Sequence, residues 1–257
     1  MSVDALHGMD GNMAASNPAI LLDQVISELL PLYTEPHLKN YLTVHAHRYK
    51  IDLANIAEVV PKGASIFDFG AFPYATSEAL SRSGYAVTAA DIDPSACPFA
   101  DKLSFPIVKC NANTLQVPLA DESFDAVVLT EVFEHLHLNP IVTMRELLRI
   151  LKPGGILYLT TPNGLGLRKL ARVLLKRKYQ EVYHQWSQLE TKGLMGHVTE
   201  YTPAEIQDFL EKIGFREVVT RTKNVYKKQN SVEHYFWKGM SFPFRTMRET
   251  IIAVARK

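Results

Sequence analysis

The stretches Ser65-Ile-Phe-Asp-Phe-Gly-Ala71 and Val87-Thr-Ala-Ala-Asp91 decide the fold of this chain. Each is a short apolar run that closes on an acid, Asp68 with Gly70 in the first and Asp91 in the second. The segment between them has room for one helix, so the pattern predicts a strand, a helix and a second strand. This is the first half of a doubly wound α/β sheet, in which a ligand binds at the carboxyl ends of the strands. An acid that ends the second strand is well placed to accept hydrogen bonds from ribose hydroxyls.

The loop after the first strand reads Gly70-Ala-Phe-Pro-Tyr-Ala75. A dinucleotide site would need the glycine run G-x-G-x-x-G, which lets a pyrophosphate approach the N-terminus of a helix. Here Phe72 and Tyr74 stand where the further glycines would be. The sequence therefore favours an adenosine ligand without phosphates, and S-adenosylmethionine is the candidate cofactor.

The composition is that of an ordinary globular protein of 257 residues, with 47% apolar residues. The balance of 28 basic against 27 acidic residues gives a formal net charge of +1, so no global field attracts nucleic acid. Cys97 and Cys110 form no CxxC pair, which argues against a disulfide framework or a thiolate zinc site. Without a secretory pattern or a run of 18 apolar residues, we expect a soluble, cytoplasmic protein.

The remaining elements follow from the same kind of pattern. Residues 1–60 are predicted to form an N-terminal tail and capping helices, and residues 61–257 one domain with a helical insertion at 164–200. The first two strands are predicted at about 65–69 and 86–90, and further strands at about 106–110, 124–130, 155–161, 216–222 and 250–255, with a helix at 139–151. Thr202-Pro-Ala-Glu205 predicts the start of a late helix, because Thr202 can act as N-cap and Glu205 can complete a capping box.

Five ordered segments carry a family resemblance. They are Asp68-Phe-Gly70, Asp91, Cys110-Asn-Ala112, Asp121-Glu-Ser-Phe-Asp125 and Leu148-Arg-Ile-Leu-Lys-Pro-Gly-Gly155. With them the chain resembles a class I S-adenosylmethionine-dependent methyltransferase of the methyltransferase type 11 or ubiquinone-pathway O-methyltransferase kind, over roughly residues 60–215. The resemblance implies a Rossmann-like, doubly wound seven-stranded sheet, and makes residues 61–257 the S-adenosylmethionine-binding domain.

The resemblance also implies a set of cofactor-binding residues. Gly70 and its neighbours would approach the methionine moiety, Asp91 would hold the ribose, and Ile92 and Asn111 would meet the adenine. The full set is Asp68, Gly70, Ala71, Phe72, Asp91, Ile92, Asn111, Ala112, Asn113, Thr130 and Glu131. The first loop departs from the family pattern D-x-G-x-G-x-G. Either Pro73 fixes another path for it, or cofactor binding is impaired; the latter would leave a cofactor-binding protein without catalysis.

Four residues near the predicted methyl group admit two interpretations. Glu131, Glu134, His135 and His197 resemble the divalent-cation set of two metal-assisted branches, the ubiquinone-pathway and the small-RNA 2′-O-methyltransferases. A cation there would lower the pKa of an acceptor hydroxyl. The alternative, which we favour, is that the segment leaves the fourth strand as it does in metal-free relatives. His135 and His197 are then the candidate catalytic bases.

The acceptor is expected to contact the N-terminal helices and the insertion. The candidate acceptor-binding residues are Tyr41, His45 and Arg48 in the first region, and Tyr183 and Trp186 in the second. Residues 165–179 are basic, with leucines at helical spacing, which fits either peripheral contact with an anionic membrane or a packed surface helix. Nucleic acid is the less favoured partner.

Together these patterns predict O-methylation of a small molecule, a glycan or a lipid-linked intermediate. Two other functions stay open at this stage. One is metal-assisted 2′-O-methylation of RNA, and the other is binding of S-adenosylmethionine without catalysis.

Overall fold

The computed structural model describes residues 17–97, 99–111, 117, 119–136, 138–192, 196–197, 199–225, 235–236, 239–241 and 243–257. Its centre is a sheet of seven strands: β1 (Ser65–Phe69), β2 (Ala86–Asp91), β3 (Ile107–Lys109), β4 (Phe124–Thr130), β5 (Leu151–Pro162), β6 (Arg216–Lys223) and β7 (Thr250–Arg256). The strand order is β3-β2-β1-β4-β5-β7-β6. β1 to β5 run parallel, whereas β7 pairs antiparallel with both β5 and β6. The predicted doubly wound, seven-stranded sheet is therefore confirmed.

The order of the sheet places a crevice beside β1. The chain moves outward from β1 through β2 to β3, and then returns to the other side of β1 with β4. Ligands bind at such a switch point, outside the carboxyl ends of the strands that flank it. Here those ends are Phe69 of β1, Asp91 of β2 and Thr130 of β4.

Among the described residues, seven α-helices flank the sheet. They are α1 (Pro18–Leu29), α2 (Pro36–Val59), α3 (Ala75–Arg82), α4 (Pro140–Ile150), α5 (Leu167–Lys176), α6 (Val182–Lys192) and α7 (Pro203–Ile213). α7 begins with the predicted capping box: Thr202 Oγ1 accepts the backbone N–H of Glu205, whose carboxylate accepts the N–H of Thr202. None of the described helices combines the length and hydropathy that a membrane span requires.

The core has two parts because successive side chains of a strand point to opposite faces. Ile66 and Val128 belong to the part that includes residues of α1 to α3, and Phe67 and Val127 to the part that includes residues of α4 and α7. β5 starts earlier than the predicted 155, because Leu151 already pairs with Phe124. A register shift separates that pair from the next one, Ala126 with Ile156.

Candidate functional site

A cleft lies at the carboxyl ends of β1 and β4. Two sources supply its walls: helix α2 on one side, and the loops that leave β1 and β4 on the other. The lining residues are Tyr41, Arg48, Tyr49, Asp68, Gly70, Ala71, Phe72, Pro73, Thr76, Thr130 and Glu131. The cleft thus combines residues predicted to bind the cofactor with residues predicted to bind the acceptor.

The loop Gly70–Tyr74 follows a compact path through this cleft. Gly70 has φ +75, and a Cβ added there would lie 2.3 Å from Val132 Cγ2, so only glycine fits without a shift. The N–H groups of Gly70 and Ala71 both donate to Ala90 O, at 2.8 and 3.0 Å. The Phe72–Pro73 peptide bond is cis, and Tyr33 Oη donates to Pro73 O at 2.9 Å. The loop is therefore anchored to β2 and to the segment after α1.

Asp68 lines the cleft, whereas Asp91 lies beside it at the end of β2. Asp68 is buried and accepts a hydrogen bond from Ser77 Oγ at 2.5 Å, which ties β1 to α3. Burial raises the pKa of Asp68 to about 6, against the opposing effect of Ser77. Asp91, half-buried, accepts the N–H of Phe72 at 3.1 Å and that of Asp93 at 3.4 Å. Burial raises the pKa of Asp91 also, and the backbone hydrogen bonds oppose that rise.

The adenine side of the predicted cofactor site is partly described. Ile92 follows Asp91 and is 39% exposed, as expected of a side chain left to cover a flat ring. Asn111 is half-buried just beyond the end of β3. Ala112, predicted to meet the adenine edge, and Asn113, predicted to bind the cofactor, lie outside the described residues.

Glu131 and Arg48 form an ion pair inside the cleft. Glu131 has φ 56, which turns the chain sharply at the end of β4. Its Oε2 lies 3.6 Å from a guanidinium nitrogen of Arg48, and the two side chains are 9% and 4% exposed. Glu131 had been grouped with the candidate metal ligands, but its carboxylate faces Arg48.

The other three candidate ligands come together beside the cleft. Glu134 Oε1 lies 3.9 Å from His135 Nε2 and 3.7 Å from His197 Nε2. One donor atom from each of the three residues falls within 4.8 Å of the others. Glu134 and His135 belong to a single 3₁₀ turn after β4, whereas His197 reaches them from the segment that precedes α7.

Burial governs the charge of this cluster. Burial and the nearby Glu131 carboxylate raise the pKa of Glu134 to about 8. Burial would lower the pKa of His197, but the carboxylates of Glu200 and Glu134 outweigh it and raise that pKa. Both shifts favour a proton on Glu134 and His197, whereas a general base must be deprotonated before it can accept the proton of an acceptor hydroxyl.

The same donor set is compatible with a divalent cation. Ligand distances of about 2.0–2.2 Å place neighbouring donor atoms about 3–3.5 Å apart. The two separations of 3.7 and 3.9 Å need to shorten only slightly. The Oε1 atom of Glu134 is buried and accepts no hydrogen bond among the described residues, so it has an open coordination position. One carboxylate with two imidazoles suits several metals.

Comparison with known proteins identifies the central part of the chain. The sequence profile of the methyltransferase domain family matches residues 67–159. These residues belong to that family. The match runs from within β1 through most of β5, and it includes the switch point and the Glu134–His135 turn. The predicted resemblance to class I S-adenosylmethionine-dependent methyltransferases is thereby confirmed.

One curated relative is the ubiquinone biosynthesis O-methyltransferase of Xanthomonas campestris pv. campestris. It is 35% identical to this chain over 134 residues, which are 47% of this chain and 56% of the relative. The chain thus spans little more than half the length of the curated relative it matches.

Two solved structures show the same fold as the methyltransferase domain and its flanking helices. One is a chain of the complex between the Haloferax volcanii Trm112 methyltransferase activator and a methyltransferase, with TM-score 0.62 and 20% identity, covering 89% of this chain and 97% of that one. The other is the Burkholderia thailandensis 1,6-didemethyltoxoflavin-N1-methyltransferase with bound S-adenosylhomocysteine, with TM-score 0.56 and 16% identity, covering 97% of this chain and 93% of that one.

The residues predicted to bind the acceptor separate into two groups. Tyr41 and Arg48 line the cleft of the methyltransferase domain, and the half-buried His45 ring lies 4.3 Å from the Tyr41 ring. Burial and the Arg48 charge lower the pKa of His45 to about 4, so its ring is neutral at physiological pH. Tyr183 and Trp186 lie on α6, are 83% and 50% exposed, and do not line the cleft.

Glu200 is a residue of this site that the sequence analysis missed. Its Oε1 lies 3.6 Å from His197 Nδ1, and its Oε2 accepts a hydrogen bond from Tyr179 Oη at 2.9 Å. Lys169 Nζ forms an ion pair with the same carboxylate. Burial would raise the pKa of Glu200, but these partners lower it to about 2. Its only sequence signal was its place between His197 and the capping Thr202, which does not distinguish it from a surface acid.

Proposed function

We propose that this protein transfers the methyl group of S-adenosylmethionine to an oxygen atom of a small molecule, glycan or lipid-linked acceptor. The observation that carries the proposal is that a cleft and a carboxylate–imidazole cluster occur close to each other in this fold. The cleft at the switch point of the sheet is lined by Gly70, Ala71 and Glu131 of the predicted cofactor-binding set, and the carboxylate–imidazole cluster begins three residues after Glu131, at Glu134. The named O-methyltransferase relative supports oxygen as the acceptor atom.

The cleft, together with the neighbouring end of β2, suits the two ends of S-adenosylmethionine. Asp91 would accept the ribose hydroxyls, and the loop at Gly70 would pass close to the methionine moiety. Arg48 and Glu131 place a positive and a negative charge 3.6 Å apart on one wall. A zwitterionic amino acid carries the complementary pair, so we assign Arg48 to the cofactor carboxylate rather than to the acceptor.

The chemical step needs one proton acceptor. The acceptor oxygen attacks the methyl carbon in line, the bond from carbon to sulfur breaks, and the electron pair leaves with the sulfur of S-adenosylhomocysteine. The acceptor hydroxyl gives up its proton, which His135 or His197 takes. Since the sulfonium is already activated, positioning in the cleft supplies most of the rate gain.

A divalent cation is a second way to prepare the hydroxyl. Glu134, His135 and His197 would hold it, and it would lower the pKa of the hydroxyl that it binds. Elemental analysis of protein purified without chelator tests this, with Glu134→Gln beside the exposed control Glu181→Gln. Stoichiometric metal that only Glu134→Gln loses supports the cation. Metal-free protein whose activity survives chelators contradicts it and leaves the histidines as bases.

Calorimetry tests the cofactor. We expect S-adenosylmethionine and S-adenosylhomocysteine to bind, and Arg48→Met to weaken both by roughly 10- to 100-fold, since hydrogen bonds to charged groups contribute about 1.5–3 kcal/mol. Lys50→Met removes a charge from the same helix at an exposed pair with Asp23 and should change neither. If neither ligand gives binding heat with the wild-type protein, the proposal is refuted.

The acceptor atom can be read from the product. With ¹³C-methyl S-adenosylmethionine and candidate phenolic, glycan and lipid-linked acceptors, an O-methyl carbon resonance in the product supports the proposal. Transfer only to nitrogen or carbon would contradict oxygen as the acceptor while leaving the methyltransferase activity intact.

We also propose that residues 165–179 contact an anionic membrane, which would suit a lipid-linked acceptor. Helix α5 buries none of its residues, and Leu174 and Leu175 are 81% and 82% exposed. The flanking cations are Arg168, Lys169, Arg172, Lys176, Arg177 and Lys178. Exposed leucines with basic flanks are the pattern of an interfacial helix. Co-sedimentation with phosphatidylglycerol vesicles, absent with Leu174→Ser/Leu175→Ser, would support this contact, and equal sedimentation of both proteins would contradict it.

A further inference from the structure

Glu200 holds a position unlike that of the other acids near the cleft. Its side chain is only 8% exposed, and three groups from separate parts of the chain converge on its carboxylate. Lys169 comes from the first turn of α5, and Tyr179 comes from the segment after that helix. His197 belongs to the carboxylate–imidazole cluster. A buried carboxylate with several donors has a fixed orientation, so whatever it contacts is fixed with it.

The backbone that carries Glu200 is anchored independently of these side chains. Tyr201 forms a parallel bridge with Asn163, and its carbonyl accepts the N–H of Gly164 at 2.8 Å. One residue further on, Thr202 starts α7 with its capping box. The backbone of Glu200 is therefore fixed by the end of β5 and the start of α7, while its carboxylate contacts Lys169 of α5 and His197.

We propose that Glu200 is the positioning residue of His197: it accepts the Nδ1 proton and thereby directs the Nε2 lone pair at Glu134 and His135. The two ring nitrogens face opposite ways, Nδ1 towards Glu200 at 3.6 Å and Nε2 towards Glu134 at 3.7 Å. Lys169 keeps Glu200 charged, whereas Glu134 is fully buried beside a second carboxylate. Glu200 is thus the better acceptor, and the hydrogen bond at one ring nitrogen determines which nitrogen keeps the lone pair.

The same contacts join the insertion to the chemistry. Among the described contacts, Lys169 of α5 and Tyr179 just after α5 connect the insertion to the cluster through Glu200. An acceptor or surface that moves α5 therefore acts on the carboxylate that orients His197. The catalytic consequence depends on the proposed methyl transfer, whereas the orientation of the imidazole does not.

The test measures the imidazole directly. The ¹⁵N shifts of His197, assigned by their loss in His197→Gln, report the tautomer at a pH where the ring is neutral. We expect the Nδ1–H form in the wild-type protein and a shift to the Nε2–H form, which an unconstrained histidine prefers, in Glu200→Met. Lys169→Met and Tyr179→Phe should give intermediate mixtures. Lys176→Met, which removes an exposed charge from the same helix, should match the wild-type protein.

A rate measurement then separates positioning from folding. Glu200→Met should lower kcat by about 10- to 100-fold and leave the KM for S-adenosylmethionine unchanged, as loss of an orienting carboxylate does. Nε2–H in the wild-type protein, or equal tautomers in wild-type and Glu200→Met, would overturn the proposal whether or not methyl transfer is observed. Should Glu200→Met fail to fold, the wild-type tautomer and the Tyr179→Phe variant give the same decision.

Discussion

The substitution Gly70→Ala tests the geometry on which the cofactor cleft depends. Gly70 has φ +75, and its missing Cβ would stand 2.3 Å from Val132 Cγ2. Two penalties follow. A left-handed conformation costs an alanine about 1–2 kcal/mol, and forcing a methyl group into a packed site costs about 1–3 kcal/mol more. The valine cannot yield easily, since its χ1 is restricted.

Gly63 offers a matched control for the first penalty. It has nearly the same φ, +76, but nothing lies within 4 Å of its added Cβ. Gly63→Ala should therefore lose only about 1–2 kcal/mol of unfolding free energy, whereas Gly70→Ala should lose about 2–5 kcal/mol. In the double variant Gly70→Ala/Val132→Ala, the steric penalty should disappear while the backbone penalty of Gly70→Ala remains. The double variant should therefore lose less unfolding free energy than the sum of the losses of the two single variants.

Urea unfolding gives the free energies, and calorimetry gives the affinity for S-adenosylmethionine. Because Val132 directly follows Glu131 of the cleft, its displacement in Gly70→Ala should weaken cofactor binding at least about tenfold, or about 1.4 kcal/mol. Gly63→Ala should bind normally. Equal losses of stability in the two glycine variants, or no recovery with Val132→Ala, would refute the steric reasoning.

Three further predictions concern acidic residues that are buried or half-buried, and their partners. Asp91→Asn should weaken S-adenosylmethionine binding about 10- to 100-fold by calorimetry, because a charged acceptor of the ribose is lost; unchanged affinity would contradict the ribose assignment. Ser77→Ala should lower the urea unfolding free energy by about 1–3 kcal/mol, since Asp68 loses the hydroxyl 2.5 Å away, and a neutral result would show that water replaces it. Burial raises the pKa of Asp52 from 3.8 to about 7, so the folded protein keeps a proton that the unfolded chain releases, and stability falls as pH rises through this window. Asp52→Asn should flatten that fall, and an identical pH profile would count against it.

The strands and the late helix could be predicted from the sequence because their causes are local. Ser65–Phe69 and Phe124–Thr130 were predicted with the bounds that the structure has, since each is an apolar run closed by an acid or a turn. The capping box at Thr202 was predicted for the same reason: its two hydrogen bonds join residues three positions apart.

The order of the family segments made the fold of the methyltransferase domain predictable as well. Asp68, Asp91 and the segment that ends at Gly155 each match a common local pattern, but together they require one sheet with one switch point. The cofactor followed from the acid at the end of the second strand and from the absence of further glycines after Gly70. Chain order and short motifs were sufficient for that.

Only the tertiary structure decided which charged side chains contact one another. Arg48 and Glu131 are far apart in sequence yet form one ion pair in the cleft, which is the basis for the proposal that Arg48 contacts the cofactor. The group of donor atoms that lie close enough to hold a metal comprises Glu134, His135 and His197 without Glu131. Glu200 is recognised as a residue of the site only from the structure, because Lys169, Tyr179 and His197 all contact its carboxylate. The strength of such contacts depends on burial and on distances within a few ångströms between distant segments. Only the packed chain determines those quantities, whereas an apolar run or a capping box is complete within a few neighbouring residues.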